Sequence, residues 1–157
     1  MSDHETRIEL DDRVPLVRIT REFDAPPAMV YLAWTDPQLV AQWLGPRDRT
    51  MEIETYDCVT GGAYRYGMRN GDDVQWFHGS FHQARPAERL VQTFTWEGMP
   101  DQVALETLTL VDLGDGRTRV ESTSLVDSFE DRDAFVRSGM EKGITEGYEQ
   151  LDELLVR

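Results

Sequence analysis

Between residues 61 and 98 the chain reads GGAYRYGMRNGDDVQWFHGSFHQARPAERLVQTFTWEG, with large side chains at every second position through three runs set apart by turn residues. A pleated strand sends successive side chains to opposite faces. Tyr64, Tyr66 and Met68 therefore share a face, Trp76 and His78 share another, and Leu90, Phe94 and Trp96 a third. The spacing predicts a β-meander with an aromatic face. Side chains this large on one side of a sheet need either an apolar cover or an apolar guest.

The pattern continues on both sides of the meander. Val17, Ile19 and Phe23 alternate with polar residues in a first strand over 17–23, which Asp24-Ala25-Pro26-Pro27 stops. Asp24 is placed to cap a short helix that opens on the prolines. A second short helix is expected from Asp36-Pro37, with Leu39, Val40, Trp43 and Leu44 at helical spacing before Gly45-Pro46 ends it. Strands are then expected near 50–57, 62–69, 74–84, 89–97, 104–112 and 117–125, each interruption carrying glycine, asparagine, aspartate or proline. From Glu130 to about Leu155 the period becomes helical, with Val136, Met140, Ile144, Tyr148 and Leu151 on one stripe. The reading is an α+β domain: a seven-stranded antiparallel sheet, two short helices after its first strand, and one long C-terminal helix across it.

Residues 1–12 are charged and aperiodic and are expected to form a flexible tail, leaving 13–157 as a single domain. Thirty acidic residues against 16 basic ones give a net charge of -14, which opposes binding to phosphate backbones and anionic membranes. Nucleic acid is excluded as a partner on that ground. No apolar run reaches the roughly 20 residues that cross a bilayer, and the first residues lack the blocks of a signal peptide, so a cytoplasmic protein is expected. Cys58 stands alone, which rules out an intrachain disulfide and reads as a half-buried packing residue.

Trp34-Thr35-Asp36-Pro37, Trp43-Leu44-Gly45-Pro46, the run from Gly61 to Arg69, Arg85-Pro86-Ala87-Glu88-Arg89-Leu90 and Gly116-Arg117-Thr118-Arg119-Val120 follow one another in an order that resembles the activator of heat-shock-protein-90 ATPase homologue-like family. That family belongs to the SRPBCC, or START-like, helix-grip superfamily, and the resemblance covers residues 14–155. It implies a helix-grip domain with a cavity between the C-terminal helix and the sheet. Members of the superfamily bind lipids, sterols, polyketides or plant hormones, and some act as polyketide cyclases. The founding co-chaperones stimulate a chaperone ATPase with the help of a further N-terminal domain.

Trp34, Trp43, Tyr64, Tyr66, Met68, Trp76, His78, Phe94, Trp96, Met140 and Ile144 are the candidate ligand-binding residues, with Tyr148 beside them. His78 is the titratable residue of most interest, because its ordinary pKa suits acid–base work. His82 lies four residues further along the strand, roughly 13 Å away, so the two cannot share a metal. No catalytic residue, metal ligand or cofactor motif is assigned. Glu106, Arg65 and Arg69 face either way on this reading, with the two arginines placed outside by alternation. Gly139, Gly143 and Gly147 make one side of the long helix smooth, for close packing or for a ligand.

The expected function is binding of a small hydrophobic or aromatic molecule between helix and sheet, without catalysis. The alternatives are a polyketide-cyclase-like acid–base enzyme and a chaperone or stress-response co-regulator. Pairing of sheet edges in a homodimer stays open at this point.

Overall fold

A computed structural model describes residues 4–156. Its strands and helices run in the order β1 (Arg7–Leu10), β2 (Leu16–Phe23), α1 (Pro27–Thr35), α2 (Pro37–Trp43), β3 (Thr50–Tyr56), β4 (Ala63–Asn70), β5 (Asp73–Arg85), β6 (Arg89–Trp96), β7 (Ala104–Gly114), β8 (Arg117–Leu125), α3 (Phe129–Arg137) and α4 (Met140–Leu155). The strands form one antiparallel sheet in the order β1-β2-β8-β7-β6-β5-β4-β3. Six consecutive strands make a meander, and β2 closes beside the last of them. The helices pack on one face, giving the α+β helix-grip arrangement expected from the sequence.

The sheet has eight strands rather than seven. Arg7–Leu10, expected to belong to a flexible tail, pairs with β2 from Arg7↔Thr20 to Leu10↔Val17. Four residues with only Ile8 and Leu10 apolar carry too little periodicity to announce a strand, and it is the β2 edge that templates this one. Register irregularities at Ile53/Thr55, Phe81/Gln83 and Asp112/Gly114 mark bulges, which bend and twist the strands that carry them.

The expected long C-terminal helix is two helices. Ser128 caps α3, its hydroxyl accepting from Asp131 N at 3.0 Å, and Glu130 and Asp131 favour the positive end of the helix dipole. Ser138 ends α3, and Gly139 starts α4 with φ 92°, a left-handed conformation that glycine adopts without strain. Glycine at that point therefore redirects the chain and does not smooth a helix face. At α2, Asp36 caps as expected, accepting from Gln38 N at 2.9 Å. Asp24 does not cap α1, whose N-cap is Pro26 with no side-chain bond; it meets His4 at 3.0 Å instead.

The core lies between the sheet and the helices. Val17, Phe23, Val30, Phe81, Leu90, Val120 and Leu151 are wholly buried, each stabilising the fold by about 1.5–3 kcal/mol through loss of apolar surface. Helix α4 packs chiefly on α2. Gln150 Nε2 donates to Trp43 O at 3.1 Å and Gly45 O at 3.0 Å, fixing the α2–β3 loop to the helix.

The glycine face of α4 meets that loop and not the sheet. A Cβ added at Gly147 would come within 3.2 Å of Gly45 N and 3.3 Å of Trp43 O, whereas one at Gly143 would meet only Pro46 Cδ, at 3.7 Å. Gly143→Ala is therefore expected to stabilise by up to about 1 kcal/mol through helix propensity alone. Gly147→Ala is expected to destabilise by about 1–3 kcal/mol, because backbone rather than a flexible side chain must yield. Thermal melts of the two variants, compared with the parent, check the opposite signs.

Candidate functional site

Across the middle of the inner face the register sets five residues side by side: Val17 on β2, Ser124 on β8, Glu106 on β7, Gln92 on β6 and Phe81 on β5. The ends of this row are apolar and its three central members are polar. Gln92 Nε2 donates to Glu106 Oε1 at 3.4 Å and to the Tyr64 hydroxyl at 3.3 Å, both long for hydrogen bonds. The Tyr64 hydroxyl itself donates to Thr93 O at 2.6 Å. Ser124 Oγ is buried and closes no hydrogen bond, though its dipole lies near enough to Glu106 to ease the carboxylate form.

Burial raises the Glu106 carboxyl from its ordinary 4.5 to about 7, against smaller opposing effects of Ser124 and Gln92. Both groups that act on it besides burial are neutral. Tyr64, Tyr66 and Tyr148 lie close enough to feel its charge: burial raises each of their hydroxyls, and Glu106 adds to that. The buried guanidinium of Arg21 is committed elsewhere. Arg21 donates to Tyr148 O at 2.9 Å and to His4 O at 2.8 Å, and stands 3.7 Å from Asp152.

The two ends of the space under α4 differ. At the α1–α2 end the layers interlock: Trp34 and Trp43 meet at 4.6 Å between ring centroids, Trp34 and Tyr148 at 5.9 Å, and Phe23 and Tyr148 at 5.6 Å. Toward β5 and β6 they do not. Phe77, Gln92, Phe94, Glu106 and Ser122 on the inner face, and Ile144 on the helix, keep partial exposure, while Tyr64, Tyr66, Leu108 and Val120 around them are buried. Side chains that retain accessible surface beside buried neighbours show that the packing is looser at this end than at the other.

The activator of Hsp90 ATPase homolog 1-like protein family matches over residues 24–156, most of the length. The chain belongs to that family. Among solved structures this family member is similar to a Rhodobacter sphaeroides protein, 26% identical, with 97% of this chain and 98% of that one covered at a TM-score of 0.86. A protein from Arthrobacter aurescens is 27% identical, with 96% and 91% covered and a TM-score of 0.87. DynU16, a putative protein of the dynemicin biosynthetic locus, shares the fold at 22% identity and a TM-score of 0.67, over 88% of this chain and 47% of that one. No curated protein matches.

Within this member of the family, the eleven residues expected to bind ligand divide into four groups. Tyr64 and Tyr66 lie close to Glu106, Phe94 and Ile144 keep partial exposure at the same end of the core, and Met68 and Met140 are buried in that core. Trp34 and Trp43 belong to the interlocked end: Trp43 is 2% exposed and its Nε1 donates to Ala33 O at 2.8 Å, so it packs and does not line a cavity.

Trp96 lies at the rim of the sheet, 40% exposed, its Nε1 donating to Gln75 Oε1 at 2.9 Å. Trp76 and His78 project from the outer face. Trp76 pairs with Gly67 and lies under the Arg65 guanidinium, 4.1 Å from its ring centroid. His78 pairs with Arg65, and its Nδ1 is 3.0 Å from Glu97 Oε2. Glu97, bound twice by Arg65 at 2.8 Å and also by His78, is held down to about 2. This cluster is a surface ion-pair network, and the acid–base role considered for His78 has no place there. Arg65 and Arg69 face outward as expected, paired with Glu54, Glu97 and Glu52.

Burial raises the Cys58 thiol to about 12, so the residue is no nucleophile at neutral pH. A shallow groove lined by Arg18, Thr20, Thr107, Thr109, Glu121 and Thr123 opens on the outer face, away from the carboxyl. Among the described residues no helix is long and apolar enough to cross a membrane.

Sequence reasoning left Glu106 undecided and passed over Gln92, Ser124 and Phe77. The signal was present as interruption. Ala104, Glu106, Leu108 and Leu110 share one parity on β7, Leu90, Gln92 and Phe94 one on β6, and Thr118, Val120, Ser122 and Ser124 one on β8. On β7 and β6 one polar residue breaks an apolar series, on β8 Val120 is the one apolar member among hydroxyl side chains, and Glu106, Gln92 and Ser124 fall side by side once strand register is known.

Proposed function

We propose that this protein binds a small hydrophobic or aromatic molecule in the hollow between α4 and the sheet, and that Glu106, with Gln92 and Ser124, anchors the polar group of that molecule. The observation that carries the reading is a polar row centred on a carboxyl that lies among aromatic side chains. A carboxyl held only by a long contact from Gln92, and a buried Ser124 hydroxyl beside it that closes no well-aligned hydrogen bond, each oppose folding unless something bonds them better. A guest with one polar head and an apolar body supplies both what the row lacks and what Phe77, Phe94 and Ile144 leave partly uncovered.

The test is native mass spectrometry of gently purified protein, with tryptophan fluorescence followed across a panel of apolar and aromatic compounds. A co-purifying small mass, or saturable quenching that Glu106→Gln weakens, is expected. A bare protein mass together with a silent panel removes the reading.

A second reading, acid–base turnover of the same molecule in the manner of a polyketide cyclase, has one observation in its favour. Glu106 stands in register with Gln92 and Ser124 on the inner face, and burial that raises its carboxyl to about 7 suits a general acid or base. Product formation from a bound polyketide-like compound, abolished by Glu106→Gln while binding persists, selects turnover; binding with no product selects the first reading.

A further inference from the structure

We propose that the molecule held under α4 is an organic cation, an ammonium group on an apolar or aromatic body, with Glu106 as its counter-ion. This rests on the ligand reading above and adds the chemical class of the guest.

Three observations converge on a positive head group. Besides burial only the neutral Gln92 and Ser124 act on the Glu106 carboxyl, and of the two buried arginines Arg21 already serves Tyr148 O, His4 O and Asp152 while Arg132 serves Asp11 O. The carboxyl therefore lacks a partner of opposite charge. A neutral hydroxyl on the ligand could be bound by the Gln92 amide alone, with no carboxyl to desolvate, and an anionic head would meet the carboxylate directly.

The surroundings of Glu106 are also those that tolerate an ammonium. Tyr64, Tyr66 and Tyr148 lie around it, with Phe77 and Phe94 stacked on the adjoining strands at 5.2 Å between centroids. Aromatic faces carry negative charge density that attracts a cation, most strongly where water is excluded. Finally, the net charge of -14 raises the local concentration of cations and lowers that of anions.

The groups facing Glu106 from the packed elements are Tyr64 and Tyr66 on β4, Gln92 on β6, Ser124 on β8 and Tyr148 on α4. The tyrosine hydroxyls are all raised, so Glu106 alone among them titrates near neutrality. An amine that needs the carboxylate must displace its proton below about pH 7. Affinity is then expected to rise by about 100-fold from pH 5 to pH 8 and to level off above that, until the amine itself loses its proton.

Calorimetric or fluorescence titration of the full chain with three matched probes tests the proposal: 2-naphthylmethylamine, 2-naphthylmethanol and 2-naphthoic acid. At pH 8 the amine is expected to bind about 10- to 100-fold more tightly than the alcohol, with the acid weakest. Glu106→Gln is expected to lower the affinity for the amine to about that for the alcohol, erasing the preference, and the pH profile of the unaltered protein supplies a reading that needs no variant. Equal or tighter binding of the alcohol, a flat pH profile for the amine, or an unchanged preference in Glu106→Gln overturns the cationic class and leaves the ligand site standing. Binding of none of the three, in a protein that also carries no co-purifying molecule, overturns both.

Discussion

Above pH 7, Glu106→Gln is expected to be more stable than the parent protein by up to about 3 kcal/mol, although it removes a side chain from the candidate site. The sign follows from proton linkage. In the unfolded chain the carboxyl has its ordinary value of 4.5, and in the folded protein burial holds it at about 7. Between those two values the native state binds the proton that the unfolded state has released, so stability falls as pH rises through that window. The contribution is complete below about pH 4.5 and is lost once pH passes about 7. Glutamine keeps a similar shape, accepts from Gln92 and has an N–H to offer Ser124 Oγ, but it has no charge to desolvate. Denaturant melts of ligand-free parent and variant are therefore expected to coincide near pH 4 and to diverge by pH 8. Parallel curves at all pH values would mean that the carboxyl is solvated in the folded protein and that the hollow beneath α4 is open to bulk water.

How much of this was legible in the sequence turns on parity and register. The alternation in β4 placed Tyr64, Tyr66 and Met68 together and sent Arg65 and Arg69 outward, and the structure agrees. The alternation in β5 correctly joined Trp76 to His78 but could not by itself say which face they took. A two-residue turn at Gly71-Asp72, flanked by the Asn70↔Asp73 pair, couples even positions of β4 to odd positions of β5, so Tyr66 faces Phe77 while Trp76 covers Gly67. Gly67 without a side chain, opposite a tryptophan, was the clue: an added Cβ there would come within 3.1 Å of the Trp76 ring.

Bulges explain why such counting fails further on. The step at Phe81/Gln83 changes parity between β5 and β6, and no residue there announces it beforehand. The helix break escaped for a different reason. Gly139 continues the four-residue spacing of Gly143 and Gly147, so a left-handed turn and a packing groove carry the same sequence signal. The polar row needed the pairing of three strands at once, information that exists only in the folded sheet.

Trp43→Ala is expected to cost about 3–5 kcal/mol, the largest loss of any single substitution at the residues first considered for ligand binding. The side chain is 2% exposed, its ring meets Trp34 at 4.6 Å and Tyr148 at 6.2 Å, and its Nε1–H satisfies Ala33 O near the end of α1. Alanine removes all of these contacts where α1, α2 and α4 converge, and the backbone that holds Gln150 and abuts Gly147 leaves little freedom to collapse into the space. Trp43→Phe keeps most of the buried area but leaves Ala33 O without its donor, for an expected loss of about 1–3 kcal/mol. Urea melts of the two variants, read by far-ultraviolet circular dichroism so that no tryptophan signal is needed, give the comparison. The ordering also separates packing from lining. A tryptophan that walls a cavity can be truncated with little loss of stability and a large change in ligand response, because the space beside it is already there. One that interlocks two layers behaves in the opposite way. A Trp43→Ala protein that melts with the parent and binds the naphthyl probes differently would return this residue to the ligand site and shift the hollow toward the α1–α2 end.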